Sequence, residues 1–303
     1  MLTLGSDPEF MLRDADGRLK SAIGIVPGTK EERFDLLDGH FMYYDNVMAE
    51  CNIRPSDSKE GAIQSFGECF KRFAKQIAPA KLDVRASAHY PAVECEHEDA
   101  KVFGCDPEFC AYFVSVIQPP TCMDTFRSAG GHIHIGYDGG ADVGEEEEEL
   151  NFKIAWDRIW VIRIADLLLG IPSLYLDKDP SSKDRRKLYG LAGSHRSCEN
   201  WGVEYRVLGN FWLMRPSFVG LIYDLSQRCV VLGLDEEVRE RIWEEEINPD
   251  DLRDTINTWN MRKADKYLKI AQKYVPGTVW EEFLRETKQE YRNNFYQQWE
   301  LES

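Results

Sequence analysis

The chain is short of positive charge. Its 303 residues carry 37 Lys and Arg against 53 Asp and Glu, a net charge of −16. Long-range repulsion therefore opposes a nucleic-acid backbone or an anionic membrane surface as partner, a local basic patch aside. Long apolar runs are lacking: the best candidate, WVIRIADLLLGIPSLYL, has Arg163 and Asp166 inside it, so no stretch reads as a bilayer span. The opening MLTLGSDPEF has neither the basic segment nor the apolar stretch of a signal peptide, and the expected location is cytoplasmic. The eight cysteines include no CxxC, and the closest pair, Cys105 and Cys110, is followed by no Cys or His pair at zinc-ligand spacing. All eight are expected to be reduced thiols, mostly in the core. No GxxxxGK[ST] and no GxGxxG occurs, so a nucleotide, if bound, is not held by a phosphate loop. No Gly-, Ser- or Pro-rich linker divides the chain.

What is present reads as an α+β protein, with an antiparallel sheet first and helices packed against it and after it. Alternation predicts strands over 45–56 and 82–93. Between them, 58–78 sets Ile63, Phe66, Phe70, Phe73 and Ile77 on one helical face, with Asp57 or Ser58 at the N-cap. A long helix is expected over 145–170, opening on a run of acids that suits the helix dipole. A second runs over 215–234 with Pro216 in its first turn. From 235 to the end the pattern is charged, amphipathic and helical. The expected organisation is a catalytic body over 1–234 and a helical extension over 235–303 packed on the same domain.

The polar motifs share one spacing. GSDPEF holds Asp7 and Glu9; AECNIRPS holds Glu50, Asn52 and Arg54; GGHIHIGY holds His132 and His134; GVEYRVLGNFW holds Glu204 and Arg206. Each pair is two residues apart, and on a strand such residues point to the same face. Ile53, Ile133, Ile135, Tyr205 and Val207, in between, are then free to face a core. Alone, DPEF is a turn entering a strand and ExR a surface ion pair worth little. Together they crowd acids onto one concave face, which calls for a cation, and carboxylates with an imidazole suit Mg²⁺ or Mn²⁺. RRKLYGLAGSHR adds Arg185, Arg186 and Arg196, side chains suited to planar contacts with phosphate or carboxylate oxygens. A second hexapeptide, GCDPEF, brings Asp106 and Glu108, which could line the same face.

This ordered set, from GSDPEF through DNVMAECNIRPS, RSAGGHIHIG and RRKLYGLAGSHR to GVEYRVLGNFW, resembles the carboxylate–amine ligases (amidoligases) of the glutamine-synthetase-like superfamily, closest to the phage-type COOH–NH2 ligase type 2. The likeness covers residues 4 to roughly 214. It implies a curved antiparallel sheet forming a funnel, with helices outside, and ATP-dependent amide formation through an acyl phosphate. It implies metal ligation by Asp7, Glu9, Glu50, His132 and Glu204, with Asp7 standing where glutamine synthetases use Glu. It sets His134 near the nucleotide phosphates, and Arg196, Arg206 and one of Arg185 or Arg186 around the γ-phosphate and the substrate carboxylate. The implied cofactors are ATP and Mg²⁺ or Mn²⁺, and the partners a small-molecule or peptide carboxylate and an amine or ammonia. Members are commonly homo-oligomers, and the phage-type likeness points to the cytoplasm of an infected bacterial host. YDGGADVG (137–144) could serve as a closing flap. Two other readings compete: a non-catalytic binding or scaffold protein of the same fold, and a single-metal cupin-like enzyme using His132, His134 and Asp138.

Overall fold

The structure is a computed structural model and describes residues 2–102, 108–117, 124–137, 147–198, 202–290 and 294–301. Among them the first third of the chain lays down β1 (Thr3–Ser6), β2 (Glu9–Arg13), β3 (Leu19–Lys20), β4 (Phe34–Asp35), β5 (Phe41–Asp45) and β6 (Met48–Ser56), then α1 (Lys59–Ile77), β7 (Lys81–Asp83) and β8 (Ser87–His89). There follow β9 (Glu108–Cys110), β10 (Ser115–Ile117), β11 (Phe126–Ser128) and β12 (Ile133–Gly136). The second half holds α2 (Glu147–Ala165), α3 (Ile171–Leu176), α4 (Ser182–Arg186), β13 (Ser194–Cys198), β14 (Gly202–Tyr205) and α5 (Pro216–Leu234). It closes with α6 (Glu236–Glu245), α7 (Pro249–Asn257), α8 (Met261–Tyr274), α9 (Gly277–Thr287) and α10 (Phe295–Gln298).

The expected α+β class and its antiparallel sheet are present. The main sheet runs β10-β9-β13-β14-β12-β1-β6-β2-β3, with β5 also on β6, β4 on β5 and β7 on β2; β8 and β11 pair separately. The four strands nearest its middle come from opposite ends of the fold's sequence, β1 and β6 early, β12 and β14 late. A register shift between Leu4 and Ser6, where β1 meets β6, sits just before Asp7. Such irregularities bend a strand and re-aim the residue that follows.

One face of this sheet is covered by α1 and α2, and α5 packs on both. α1 starts where Ser58 accepts a hydrogen bond from the Gly61 N–H, and it buries Phe66, Phe70, Phe73 and Ile77 as its spacing predicts. The strand expected over 82–93 is broken into β7 and β8. Its backbone is diverted at Ala86, whose N–H donates to Asp179 at 2.6 Å instead of to a neighbouring strand. The helix expected over 145–170 becomes α2, a π-helical segment Asp166–Gly170, and α3.

By length and composition, Lys153–Leu176 and Pro216–Leu234 would each suffice to cross a membrane, which corrects the sequence reading. Both are buried in the fold, at 89% and 67%. The two charges that interrupted the first run have partners: Arg163 lies among the rings of Trp156, Trp160, Trp243 and Tyr112, and Asp166 is bonded to two tyrosines. The six described cysteines are free thiols, four of them buried.

The segment beyond 235 is helical as expected. α6, α7 and α8 each begin at a side chain (Asp235, Asn248, Asn260) that accepts from the N–H three residues on. One core runs from Leu4 through to Leu301, so these helices belong to the same packed body. The tail returns to α1, where Phe70 meets Phe10, Phe66, Phe295 and Trp299 with ring centroids 5.2–6.0 Å apart. Phe70→Ala should therefore cost about 3–5 kcal/mol in urea unfolding, within one cooperative transition. Two separate transitions in the wild type would show that the extension folds apart.

Candidate metal centre

The strands place the paired polar residues by register. Across β2, β6 and β5, Glu9 lies opposite Glu50, and Glu50 opposite Tyr43. Across β12, β14 and β13, His134 lies opposite Glu204, and Glu204 opposite Arg196. The residues between them turn the other way: Ile53, Ile133, Ile135, Tyr205 and Val207 are all at most 4% exposed in the helix-covered core. One alternation thus builds the site and the core from the same strands.

Three side chains from three segments converge: ligand atoms of Asp7, His132 and Glu204 lie within 4.8 Å of one another. His132 Nδ1 is 3.3 Å from Glu204 Oε1 and 3.6 Å from Asp7 Oδ1, and His134 Nε2 is 3.1 Å from the same Asp7 oxygen. The two glycines of GGHIH make room for this. A Cβ on Gly130 would overlap the His132 ring, and the Gly130 N–H donates to Glu9 Oε2 at 2.8 Å. Ser6 Oγ donates to the His132 carbonyl at 2.5 Å, tying the histidine to the end of β1.

The site has two flanks of opposite character. On one, Asp7, Glu9 and Glu50 gather with Tyr43, whose hydroxyl donates to Glu50 Oε1. Burial, then the Asp7 and Glu9 charges, push the Glu50 carboxyl well above the usual range. Burial pulls Asp7 the same way, but His134 and His132 outweigh it and hold that carboxyl well below. Burial would lower His134, and Asp7 more than offsets it, so the imidazole is raised.

On the other flank, Arg206 donates from Nε to Glu108 Oε1 at 2.9 Å. Its second nitrogen bridges Glu204 Oε1 and His132 Nδ1, the latter at 3.1 Å. Arg196 lies 3.8 Å from Glu204 Oε2. Burial would raise Glu108, but Arg206, His132 and Arg196 hold it below its ordinary value. This flank carries its own counter-charge, whereas the acidic flank is open to a cation. Asp7, His132 and Glu204, where the two flanks meet, are the residues that fit one, with Glu9 and Glu50 beside them and Arg206 already bonded to Glu204 and His132.

Arg185 and Arg186 are placed differently from Arg196 and Arg206. Arg185 is buried and donates to the carbonyls of Ala129, Arg206 and Val207, so it clamps the backbone beside the site. Arg186 lies over the Trp259 ring and donates to the Val207 carbonyl. Glu108, ranked behind the other acids in sequence, is a direct partner of Arg206. Tyr43 and Asp166 carried no sequence signal for the site. Asp106, Asp138 and most of the 137–144 stretch lie outside the described residues.

Behind the sheet, the fully buried Asp166 accepts hydrogen bonds from Tyr205 and Tyr112, each at 2.8 Å. The π-helical turn brings it there, and Gly170 leaves the space that the Tyr205 hydroxyl fills. Tyr205 stands between Glu204 and Arg206, so this bond fixes the strand that presents both. No family model matches the chain, and no curated protein sequence matches it.

Two measurements follow. Titration with Mn²⁺, read by electron paramagnetic resonance, should show binding that Glu204→Gln or His132→Ala weakens about tenfold or more; equal affinity in all three proteins would dismiss the triad. Burial pushes Asp166 up to about 7, above its unfolded value, so its contribution to stability is present at low pH and lost as pH rises through 7. Between pH 5 and 7 the wild type should lose up to about 1.4 kcal/mol per pH unit from this group, and Asp166→Asn should flatten that slope.

Proposed function

We propose that the chain is an ATP-dependent carboxylate–amine ligase on a glutamine-synthetase-like funnel, forming an amide through an acyl phosphate with a divalent ion, Mg²⁺ or Mn²⁺. The observation that carries this reading is the juxtaposition of the Asp7–His132–Glu204 cluster with Arg196 and Arg206 on one face of a large antiparallel sheet. Cation ligands and fixed arginines side by side are what transfer of a phosphoryl group demands. The ordered motifs and their likeness to the phage-type amidoligases support the same conclusion.

A carboxylate resists attack by an amine because electron density must be added to an anion. Its oxygen instead attacks the γ-phosphorus of ATP, ADP departs, and the resulting acyl phosphate reacts with the amine, which loses a proton as phosphate leaves. A divalent ion, when bound, neutralises charge on the transferring group. Asp7, His132 and Glu204 would hold that ion, with Glu9 and Glu50 beside them. Arg206 is kept in place by Glu108, and Arg196 borders Glu204; both aim positive charge at the oxygens of the phosphoryl group and the carboxylate. His134, held by Asp7 at 3.1 Å, would serve the nucleotide phosphates. Arg185 supports this flank through the backbone it clamps. The acid is a small-molecule or peptide carboxylate and the nucleophile an amine or ammonia, in the host cytoplasm.

Phosphate release from ATP should require both an acid and an amine from a substrate panel. Arg196→Ala should lower kcat about a hundredfold, and Glu9→Ala and Glu204→Gln should abolish release with folding kept. Full activity in the last two would overturn the assignment. Failure to bind nucleotide would favour the non-catalytic scaffold, and one tightly held transition ion with indifference to ATP would favour the single-metal enzyme.

A further inference from the structure

We propose that Arg33 is an oxyanion-binding residue on the acidic flank, engaged when a phosphate-type group is held there through a divalent ion. Its place follows from register. β4 pairs with β5 so that Phe34 lies opposite Met42. Arg33, one residue earlier, therefore stands beside Tyr43, and its guanidinium carbon is 5.4 Å from that ring's centroid. Tyr43 lies opposite Glu50, and Glu50 opposite Glu9. Arg33, just before β4, thus continues the row that Tyr43, Glu50 and Glu9 form across β5, β6 and β2, and of the four it alone is cationic.

The position is built. Tyr44 N–H donates to the Gly28 carbonyl at 3.3 Å, and Thr29 and Glu32 close a turn, the Thr29 N–H donating to the Glu32 carbonyl at 2.9 Å. Gly28 has φ +85°, and a Cβ there would press on the Phe34 N–H at 2.7 Å, so only glycine lets the loop close so tightly on β5. The result is an exposed arginine roofing a tyrosine that is 2% exposed.

Arg33 is held there weakly. No carboxylate among the described residues pairs with it, in a chain that has 53 acids to 37 bases. An exposed cation–π contact is among the weaker interactions open to an arginine, weaker than a charge-assisted bond to a phosphate oxygen. Arg196 and Arg206, by contrast, lie on the opposite flank against Glu204 and Glu108. An oxyanion seated over the acidic row would therefore draw Arg33 off the ring and be gripped from both sides. The oxyanion assignment stands on this placement; the choice of a nucleotide's polyphosphate as its source rests on the ligase reading.

The test is calorimetric titration, with Mn²⁺ present, of ATP and of inorganic tripolyphosphate into the wild type, Arg33→Ala and Arg33→Lys. Both ligands should bind about tenfold more weakly to Arg33→Ala, with partial recovery in Arg33→Lys and an unchanged melting temperature without ligand. Equal binding by wild type and Arg33→Ala would overturn the Arg33 assignment and leave the ligase reading intact. Weakening for ATP alone would move the contact off the phosphates and also overturn it. Arg33-dependent binding of tripolyphosphate without binding of ATP would uphold Arg33 and sink the ligase reading, and binding of neither ligand by the wild type would sink both.

Discussion

Like charges brought together in a half-buried cluster must be compensated, and the arrangement of this site answers to that constraint. Two carboxylates about 4 Å apart repel by about 4 kcal/mol at the effective dielectric of a protein surface. Asp7, Glu9, Glu50, Glu108 and Glu204 are nonetheless presented to one face. Glu108 and Glu204 are answered by Arg206 and Arg196, and Asp7 by two histidines. Among the described residues Glu50 is answered by a tyrosine hydroxyl alone, and burial together with the neighbouring acids pushes its carboxyl well above the usual range. The imbalance gives the site a direction: one flank is neutral within itself and the other has room for positive charge.

Positioning such a cluster falls to the far side of the same strands. Ile133 and Ile135 alternate with the histidines, and Tyr205 with Glu204 and Arg206; all three are buried under the helices. Packing there sets the register, and a slip by one residue would move every ligand to the wrong face. Asp166 adds a directional lock, because a hydrogen bond to the Tyr205 hydroxyl is satisfied at one register only. The cost of burying that carboxyl is offset in part by the hydrogen bonds it accepts from Tyr205 and Tyr112.

Much of this was legible as spacing. The period of two placed Glu204 with Arg206 and His132 with His134, and the period of 3.6 placed the aromatic face of α1, because both follow from local backbone geometry. What escaped was set by tertiary partners. Arg185 and Arg186 looked equivalent to Arg196 in sequence, yet a helix and a strand aim their side chains differently, and the first two meet backbone carbonyls and Trp259 instead. Tyr43 gave no signal because its role depends on β5 lying beside β6. Asp166 read only as an interruption in an apolar run. The strand over 82–93 was cut by an aspartate far along the chain.

The repeated hexapeptide shows how far local sequence determines chemistry. In both copies the glutamate after Asp-Pro is the first residue of a strand, Glu9 of β2 and Glu108 of β9. The sheet carries those strands to opposite sides of β12 and β14. Glu9 then meets Glu50 on β6, acid against acid. Glu108 meets Arg206 and is neutralised from within. The same four letters bring the glutamate to a strand start; whether that carboxylate faces another acid or steadies an arginine is decided by the strand it lands beside.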